Sequence, residues 1–309
     1  MENQPLVSVV MSVFNGEKYV ADAIESILNQ TYQNWEFIII NDGSRDSTES
    51  VIGKYQDSRI KYIHHDNMGL SKSLNKGIKL SSGKYIARID ADDRSLPTRI
   101  EKQVNFLEKN PEFLLVASYS YNVNLTNMIV TVSKSPVEDH ACRDNLMLGS
   151  GTFLHSSVMF KKEINGEVMM YDEISKAEDA LMWIKLATLG SITCLPEILC
   201  VGLRKDPSSI TSNRNNWTRI TLPFLLSFTA FQELHGSVLK FPIIFLKVLM
   251  NTIKTEIINF IFSLGFSDNY YKFKKSIGIK KSLNISPSEI PSLWNAKISK
   301  ISNNKTSIE

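Results

Sequence analysis

The sequence predicts an α/β fold: a mainly parallel central sheet with helices on both faces, followed by a helical C-terminal extension. Three observations carry it. Short apolar runs alternate with helix-periodic segments over the first hundred residues, polar and acidic residues close those runs, and the chain becomes helical, apolar and basic from Trp217 onward. Strands separated by helices imply right-handed crossovers and parallel pairing. In such sheets ligands bind beyond the carboxyl ends of the strands.

The first strand runs from Leu6 to Val13 and ends at the turn Asn15-Gly16. Val20, Ala23, Ile24, Ile27 and Leu28 then recur at helical spacing. Glu36 to Ile40 is a second strand, closed by Asn41-Asp42-Gly43-Ser44, and Asp46 or Ser47 can cap a helix that reaches about Tyr55. Arg59 to His64 alternates as a third strand, Leu70 to Leu80 is a helix, and Lys84 to Asp90 is a fourth strand after the break Ser81-Ser82-Gly83. Leu96-Pro97-Thr98-Arg99 opens a helix with Ile100, Val104 and Leu107 on one side, stopped by Asn110-Pro111. A middle region to about Pro207 reads as short strands and loops, with a helix starting near Ala177 whose first turn holds Glu178 and Asp179.

Charge divides the chain unevenly. From Ser237 onward 11 Lys stand against 4 acids, whereas the first 236 residues hold 24 basic and 28 acidic groups. The two parts are read as different devices, residues 1–215 and residues 216–309. Cys142, Cys194 and Cys200 are an odd set without metal-ligand spacing, which suits buried thiols in a reducing compartment. The N-terminus lacks the pattern of an export signal and enters a buried strand at once, so a cytoplasmic protein is expected.

The densest chemical signal is Arg88-Ile89-Asp90-Ala91-Asp92-Asp93, three acids in four residues at a strand end. Carboxylates that close repel one another and raise one another's pKa unless a cation sits between them. A hard divalent ion held by one or two carboxylates, water and substrate phosphates fits that pattern. The alternative is a solvated acidic turn. Phe14-Asn15, Asp42 and Asp90-Ala91-Asp92 all fall at carboxyl ends of strands, so three polar strand ends converge on one crevice. His64 and His65 end a strand with no partner acid and read as structural, while His155 reads as a packed or acceptor-lining residue.

The order Val13-Phe14-Asn15-Gly16-Glu17, Asn41-Asp42-Gly43-Ser44, Asn67-Met68-Gly69, Asn75-Lys76-Gly77, Asp90-Ala91-Asp92-Asp93, Leu96-Pro97-Thr98-Arg99 and Ala177-Glu178-Asp179 with Trp183 resembles family 2 inverting glycosyltransferases of the GT-A fold. The likeness covers about residues 5 to 210. It implies that Phe14, at a position where the family usually has Tyr, and Asn15 flank the base and ribose of a nucleotide-sugar, with Glu17 on the same strip. By the same resemblance Asp42 accepts a hydrogen bond from the base and Asp90 contacts the ribose or a metal-bound water. Asp92 of the DXD motif binds Mg²⁺ or Mn²⁺, and Asp179 is the general base. Two positions depart from the family pattern: Ser73-Leu74-Asn75-Lys76 lacks the usual Arg before Asn, and Arg204-Lys205-Asp206 replaces Arg-x-His.

The resemblance makes the chain a metal-dependent glycosyltransferase acting on a glycan or lipid-linked acceptor in surface polysaccharide assembly. In the extension, Pro223 to Phe231 and Phe241 to Phe266 are rich in Phe, Ile and Leu, but Lys247, Lys254 and Glu256 interrupt the longer run. Amphipathic helices at the inner face of the cell membrane suit it, with lysines toward anionic headgroups. The alternative is a helical pack that covers the catalytic domain or joins a homodimer. No nucleic-acid-binding module accompanies the basic residues. A nucleotidyltransferase would carry a Gly-rich loop after the first strand, where Ser12 to Tyr19 has only Gly16; a non-catalytic scaffold subunit is the remaining rival.

Overall fold

The computed structural model describes residues 4–124, 129–149, 152–173, 177–204, 216–234, 244–250 and 253. Its strands are β1 (Val7–Val13), β2 (Trp35–Asp42), β3 (Ile60–His65), β4 (Tyr85–Arg88), β5 (Arg94–Ser95), β6 (Phe113–Asn124), β7 (Ile129–Ser133), β8 (Met159–Lys161), β9 (Glu163–Ile164), β10 (Glu167–Val168) and β11 (Ser191–Arg204). The helices are α1 (Val20–Leu28), α2 (Thr48–Ile52), α3 (Leu70–Leu80), α4 (Arg99–Lys109), α5 (Asp139–Met147), α6 (Glu178–Leu189) and α7 (Asn216–Glu233).

The main sheet has the order β3-β2-β1-β4-β8-β6-β11-β5, with β7 added to β6. The half built from β3, β2, β1 and β4 is wholly parallel. β8 then runs antiparallel between β4 and β6, and β5 pairs antiparallel with β11. Every residue of β1 and β2 is buried because each strand has neighbours on both edges and helices over both faces. That is why both read as unbroken apolar runs. The sheet-edge strand β3 is instead only partly buried, with Lys61, Tyr62 and His64 exposed.

Period-two alternation divides β1 between two cores. Val10 joins Leu74 and Ile78 of α3 and the apolar sides of α5 and α6. Val7, Val9, Met11 and Val13 join Val20, Ile24 and Ile27 of α1 and Ile100, Val104 and Leu107 of α4. α3 lies close on the sheet because Gly77 has no side chain: a Cβ there would sit 2.6 Å from a methyl of Val10. The three cysteines are free and buried within the described residues, and burial pushes each thiol up to about 12.

The middle region differs from the sequence reading. It holds two long strands, β6 and β11, paired in parallel through register shifts at Leu195/Ile198 and Ile198/Cys200. Runs such as Ser118-Tyr119-Ser120-Tyr121 and the break at Pro196 hide their length, because a bulge interrupts the alternation by which strands are recognised. His155–Ser157 forms a 3₁₀ turn, with the strand β8 starting only at Met159.

α7 packs against α5 and α6. Ala230 enters the core beside α6, and Leu226 covers Ala177 and Ala180 at the start of that helix. Among the described residues no helix is long and apolar enough to cross a membrane. Most of Phe241 to Phe266 and all of Tyr270 to Lys275 lie outside the described residues.

Candidate active site

The loops after β1 and β2 are fastened to each other. Asn15, with φ 52°, donates its N–H to Ser44 Oγ at 2.9 Å and accepts the Arg45 N–H on Oδ1 at 2.8 Å. Gly16 donates to Thr48 Oγ1 at 2.8 Å, and Glu17 Oε2 accepts the Ser47 N–H at 3.0 Å. Asn15 and Glu17 therefore hold the rim in shape. Phe14, at the tip of β1, is left 49% exposed with its ring on the surface.

Asp42 is only 3% exposed, and its two oxygens accept the N–H groups of Met68 at 2.8 Å and Gly69 at 3.0 Å, at the start of α3. Gly43, at φ +72°, makes the tight return possible; a Cβ there would meet the Asn67 nitrogen at 2.7 Å. Asp42 thus fixes the next loop as well as closing its own strand. His65 Nδ1 lies 3.5 Å from Asp42 Oδ1, so an acid does stand beside that histidine, contrary to the sequence reading. The parallel pairing Asp42↔His65 creates the contact, which sequence distance hid.

Beyond β4 the chain turns sharply. Asp93 donates its N–H to the Asp90 carbonyl at 3.1 Å, and its buried carboxylate accepts the Leu203 N–H at 2.9 Å, tying the turn to β11. The third acid is therefore structural. Asp92 is half-buried between them. Asp90, 31% exposed, is paired with the Arg88 guanidinium and accepts the Ser156 hydroxyl at 3.1 Å. Among the described residues no group of three or more His, Cys, Asp or Glu side chains is arranged to hold a metal. One or two carboxylate oxygens at a strand end do fit an ion that takes the rest of its shell from water and phosphates.

α6 brings the second set of acids to this turn. Its base is set by Trp183, fully buried, whose ring meets His155 edge-on at 5.8 Å and Phe153 at 6.4 Å. The preceding segment is held from α3, where Asn75 Nδ2 donates to the Tyr171 carbonyl at 2.9 Å and Oδ1 accepts the Tyr171 N–H at 2.8 Å. Asp179 Oδ1 accepts the Ala180 N–H at 2.7 Å. Glu178 is pushed up to about 7, by burial first and then by the charges of Asp179 and Asp90, with Arg88 opposing. Asp90 and the acids of α6 therefore share one electrostatic neighbourhood.

His155 belongs to the same neighbourhood as a packed group. Its Nε2 and Tyr171 Oη are 2.9 Å apart, and burial, with Arg88 adding to it, drives its pKa down to about 3, so it stays neutral. Arg88, Ser156 and Asn75 are site-building residues that the sequence reading did not assign. The one available signal was an arginine closing the otherwise apolar strand Tyr85-Ile86-Ala87. A separate cavity of about 610 Å³ lies between Pro97 of the α4 approach, Tyr119 and Tyr121 of β6, and the β11 bulge, and contains none of these acids. Lys205 and Asp206 lie outside the described residues.

This architecture recurs in known proteins. A Haemophilus influenzae protein described as an uncharacterized glycosyltransferase is 36% identical over 211 residues, 64% of this chain and 65% of that protein. TuaG of Bacillus subtilis strain 168, provisionally named as a glycosyltransferase of teichuronic acid biosynthesis, is 28% identical over 222 residues, 68% of this chain and 83% of TuaG. The chain thus matches just under two thirds of the length of the first relative. The mannosyltransferase PcManGT from Pyrobaculum calidifontis, solved in complex with GDP-Man and Mn²⁺, superposes with a TM-score of 0.57 at 15% identity, covering 100% of this chain and 89% of that one. At that identity the likeness carries the fold, which is GT-A. The sequence pattern described as Glycosyl transferase family 2 matches residues 8–169, more than half of the chain and all but the first residue of the parallel half-sheet with its acidic turn, and the chain belongs to that family.

Proposed function

We propose that this chain is an inverting glycosyltransferase that moves a sugar from a nucleotide-diphosphate donor to a hydroxyl of a lipid-linked or polysaccharide acceptor in surface glycan biosynthesis of the O-antigen or capsule kind. One observation carries the reading: the acidic turn after β4 and the acids at the start of α6 share one neighbourhood at the carboxyl ends of the parallel strands. Residues 1–215 form the catalytic domain in this proposal, and 216–309 the extension.

The chemistry assigns each group a task. The exposed Phe14 ring offers a face for the nucleotide base, with Asn15 and Glu17 shaping the rim and Asp42 at the back of the base pocket. Asp90 receives a ribose hydroxyl or a metal-bound water. Asp92 holds Mg²⁺ or Mn²⁺, which when bound offsets the negative charge growing on the leaving diphosphate. Asp179 takes the acceptor's hydroxyl proton onto a carboxylate oxygen as the oxygen attacks the anomeric carbon from the face opposite the nucleotide. One displacement of this kind inverts the anomeric centre. Beside Asp179, burial and the charges of Asp179 and Asp90 push the Glu178 carboxyl up to about 7.

Teichuronic acid synthesis in the name of TuaG and the GDP-Man and Mn²⁺ held by PcManGT support this donor and acceptor class. Purified protein incubated with Mn²⁺ and a panel of UDP-, GDP- and dTDP-sugars should release nucleoside diphosphate from one of them, with the product anomer inverted by NMR. Absence of UDP or GDP binding by calorimetry, with Mn²⁺ present, would instead favour a scaffold subunit.

The extension suits contact with the cytoplasmic membrane face. Leu225, Phe228, Phe245, Leu246 and Met250 are exposed apolar residues in a region whose last 73 residues carry 11 Lys. The protein should co-sediment with vesicles containing anionic phosphatidylglycerol and not with neutral phosphatidylcholine vesicles. Equal recovery with both, or with neither, would remove the membrane assignment.

A further inference from the structure

We propose that the cavity between the α4 approach, β6 and the β11 bulge is a carbohydrate-binding site separate from the acidic crevice, and that it takes an anionic sugar unit of a glycan chain. The proposal rests on the surface-glycan reading only for the source of such a chain. The side chains of the cavity carry the rest.

An irregularity of the sheet builds the site. Leu195 of β11 pairs with Ser118 of β6, and the pairing resumes at Ile198 with Tyr119, so Pro196 and Glu197 stand outside the ladder. Pro196 has no N–H to give a neighbouring strand, and a bulge bends its strand and re-aims the side chains around it. The displaced pair forms one wall and Pro97 and Thr98 the other, with Tyr119 and Tyr121 between them. Two positions apart on one strand, the tyrosines share a face of the sheet. The volume, about 610 Å³, falls within the range of small-molecule sites, about 300–1,000 Å³.

The lining suits a charged sugar. Both tyrosines are only partly buried, and among the described residues neither phenol hydroxyl makes a hydrogen bond. An aromatic side chain with an apolar face and a polar tip matches a sugar ring, which has C–H faces and hydroxyl edges. Lys134, exposed just past β7, holds its ammonium 5.9 Å from the centre of the Tyr119 ring, and among the described residues no ion pair engages it. The second lysine of the cavity, Lys102, is paired with Glu197. Two ammonium groups thus stand against one carboxylate, and the unmatched charge is positive. Thr98 sits at the N-cap of α4 without a side-chain cap hydrogen bond, so its hydroxyl is open to a ligand. A purely apolar guest would leave these polar groups without partners; a sugar bearing a carboxylate or phosphate satisfies them.

The location gives such binding a use. Leu96 donates its N–H to the Leu199 carbonyl at 2.9 Å beside the cavity, and four residues further along β11 the Leu203 N–H is held by Asp93 of the acidic turn at 2.9 Å. Four strand residues span about 13 Å. A chain seated in the cavity stays close to the crevice, which raises the effective concentration of acceptor there.

Calorimetry with a galacturonic acid tetramer tests the proposal, with maltotetraose as the uncharged probe. The wild type should bind the acidic tetramer about tenfold or more tightly than maltotetraose. Lys134→Glu, an exposed change, should weaken binding of the acidic tetramer by about tenfold or more, the loss of one charge-assisted contact, and leave affinity for UDP or GDP with Mn²⁺ unchanged. Tyr119→Leu, which keeps apolar packing and removes the ring, should weaken both probes. If Tyr119→Leu does not fold, saturation-transfer NMR on the wild type takes its place: saturation of aromatic protons should reach the sugar ring protons. No binding of the acidic tetramer, equal binding of both probes, unchanged affinity in Lys134→Glu or in folded Tyr119→Leu, or no saturation transfer each overturns the assignment. A wild type that binds the acidic tetramer but no donor nucleotide keeps this site and loses the sugar-transfer reading; the reverse result does the opposite.

Discussion

Asp179→Asn should lower kcat by about 10²–10⁴-fold, the range attributable to a well-placed general base, while calorimetric affinity for the donor nucleotide changes less than about threefold. The amide is the same size, and its oxygen can still accept the Ala180 N–H that Asp179 accepts at 2.7 Å, so the start of α6 is preserved. What disappears is a carboxylate able to take a proton. Glu178→Gln is the contrasting variant. Its carboxyl is held near 7 by burial and the charges of Asp179 and Asp90, so the native state binds its proton over a window, from about 4.5 to 7, in which the unfolded chain has released it. Stability from this group is therefore present below the window and lost as pH rises through it, on the order of 1–3 kcal/mol. Glu178→Gln should flatten that slope in thermal melts between pH 5 and 8. If Asp179→Asn keeps its rate and Glu178→Gln collapses it instead, the two acids exchange roles.

Arg99→Met is expected to carry the largest stability loss, about 3–5 kcal/mol, out of a total that for a domain is about 5–15 kcal/mol. Arg99 is fully buried, and each nitrogen is used: Nε on Gln103 Oε1 at 3.1 Å, Nη1 on Ser95 Oγ at 2.8 Å, and Nη2 on the carbonyls of Arg88 and Val158 at 2.8 and 2.9 Å. Burial brings its pKa down to about 10, which still leaves it charged at neutral pH. Met fills similar volume but leaves the Arg88 carbonyl and the Gln103 side-chain oxygen short of partners and takes one of two donors from the Val158 carbonyl, which keeps the Arg88 N–H. Because β4, β5, β8 and α4 all meet at this side chain, the loss falls where the acidic turn is anchored. Urea unfolding should show a lower midpoint at unchanged slope. A loss under about 1 kcal/mol would mean that the carbonyls find other donors and that Arg99 is not the tie described.

Much of this was written locally. β1 and β2 are unbroken apolar runs because both faces are covered, and α1 and α3 keep their helical period because one side alone is buried. The strand-end placement of Phe14, Asp42 and Asp90 followed from those elements. The pairing of β6 with β11 did not, since a bulge at Pro196 and mixed Ser-Tyr alternation leave no clean period in the sequence. Nor did the engagement of Asp42 with residues 68 and 69, or of Asn75 with Tyr171 across 96 positions.

The sequence by itself determined the parallel half-sheet, the order of its acidic strand ends and the family, because each depends on residues within one element or on their spacing. Only the tertiary structure decided that Arg88 and Arg99 are buried cations, that Asp93 ties the turn to β11, and that Glu178 holds a proton near neutrality. Those properties belong to the distances between groups far apart in the chain and to the water excluded from between them. A single sequence carries neither quantity.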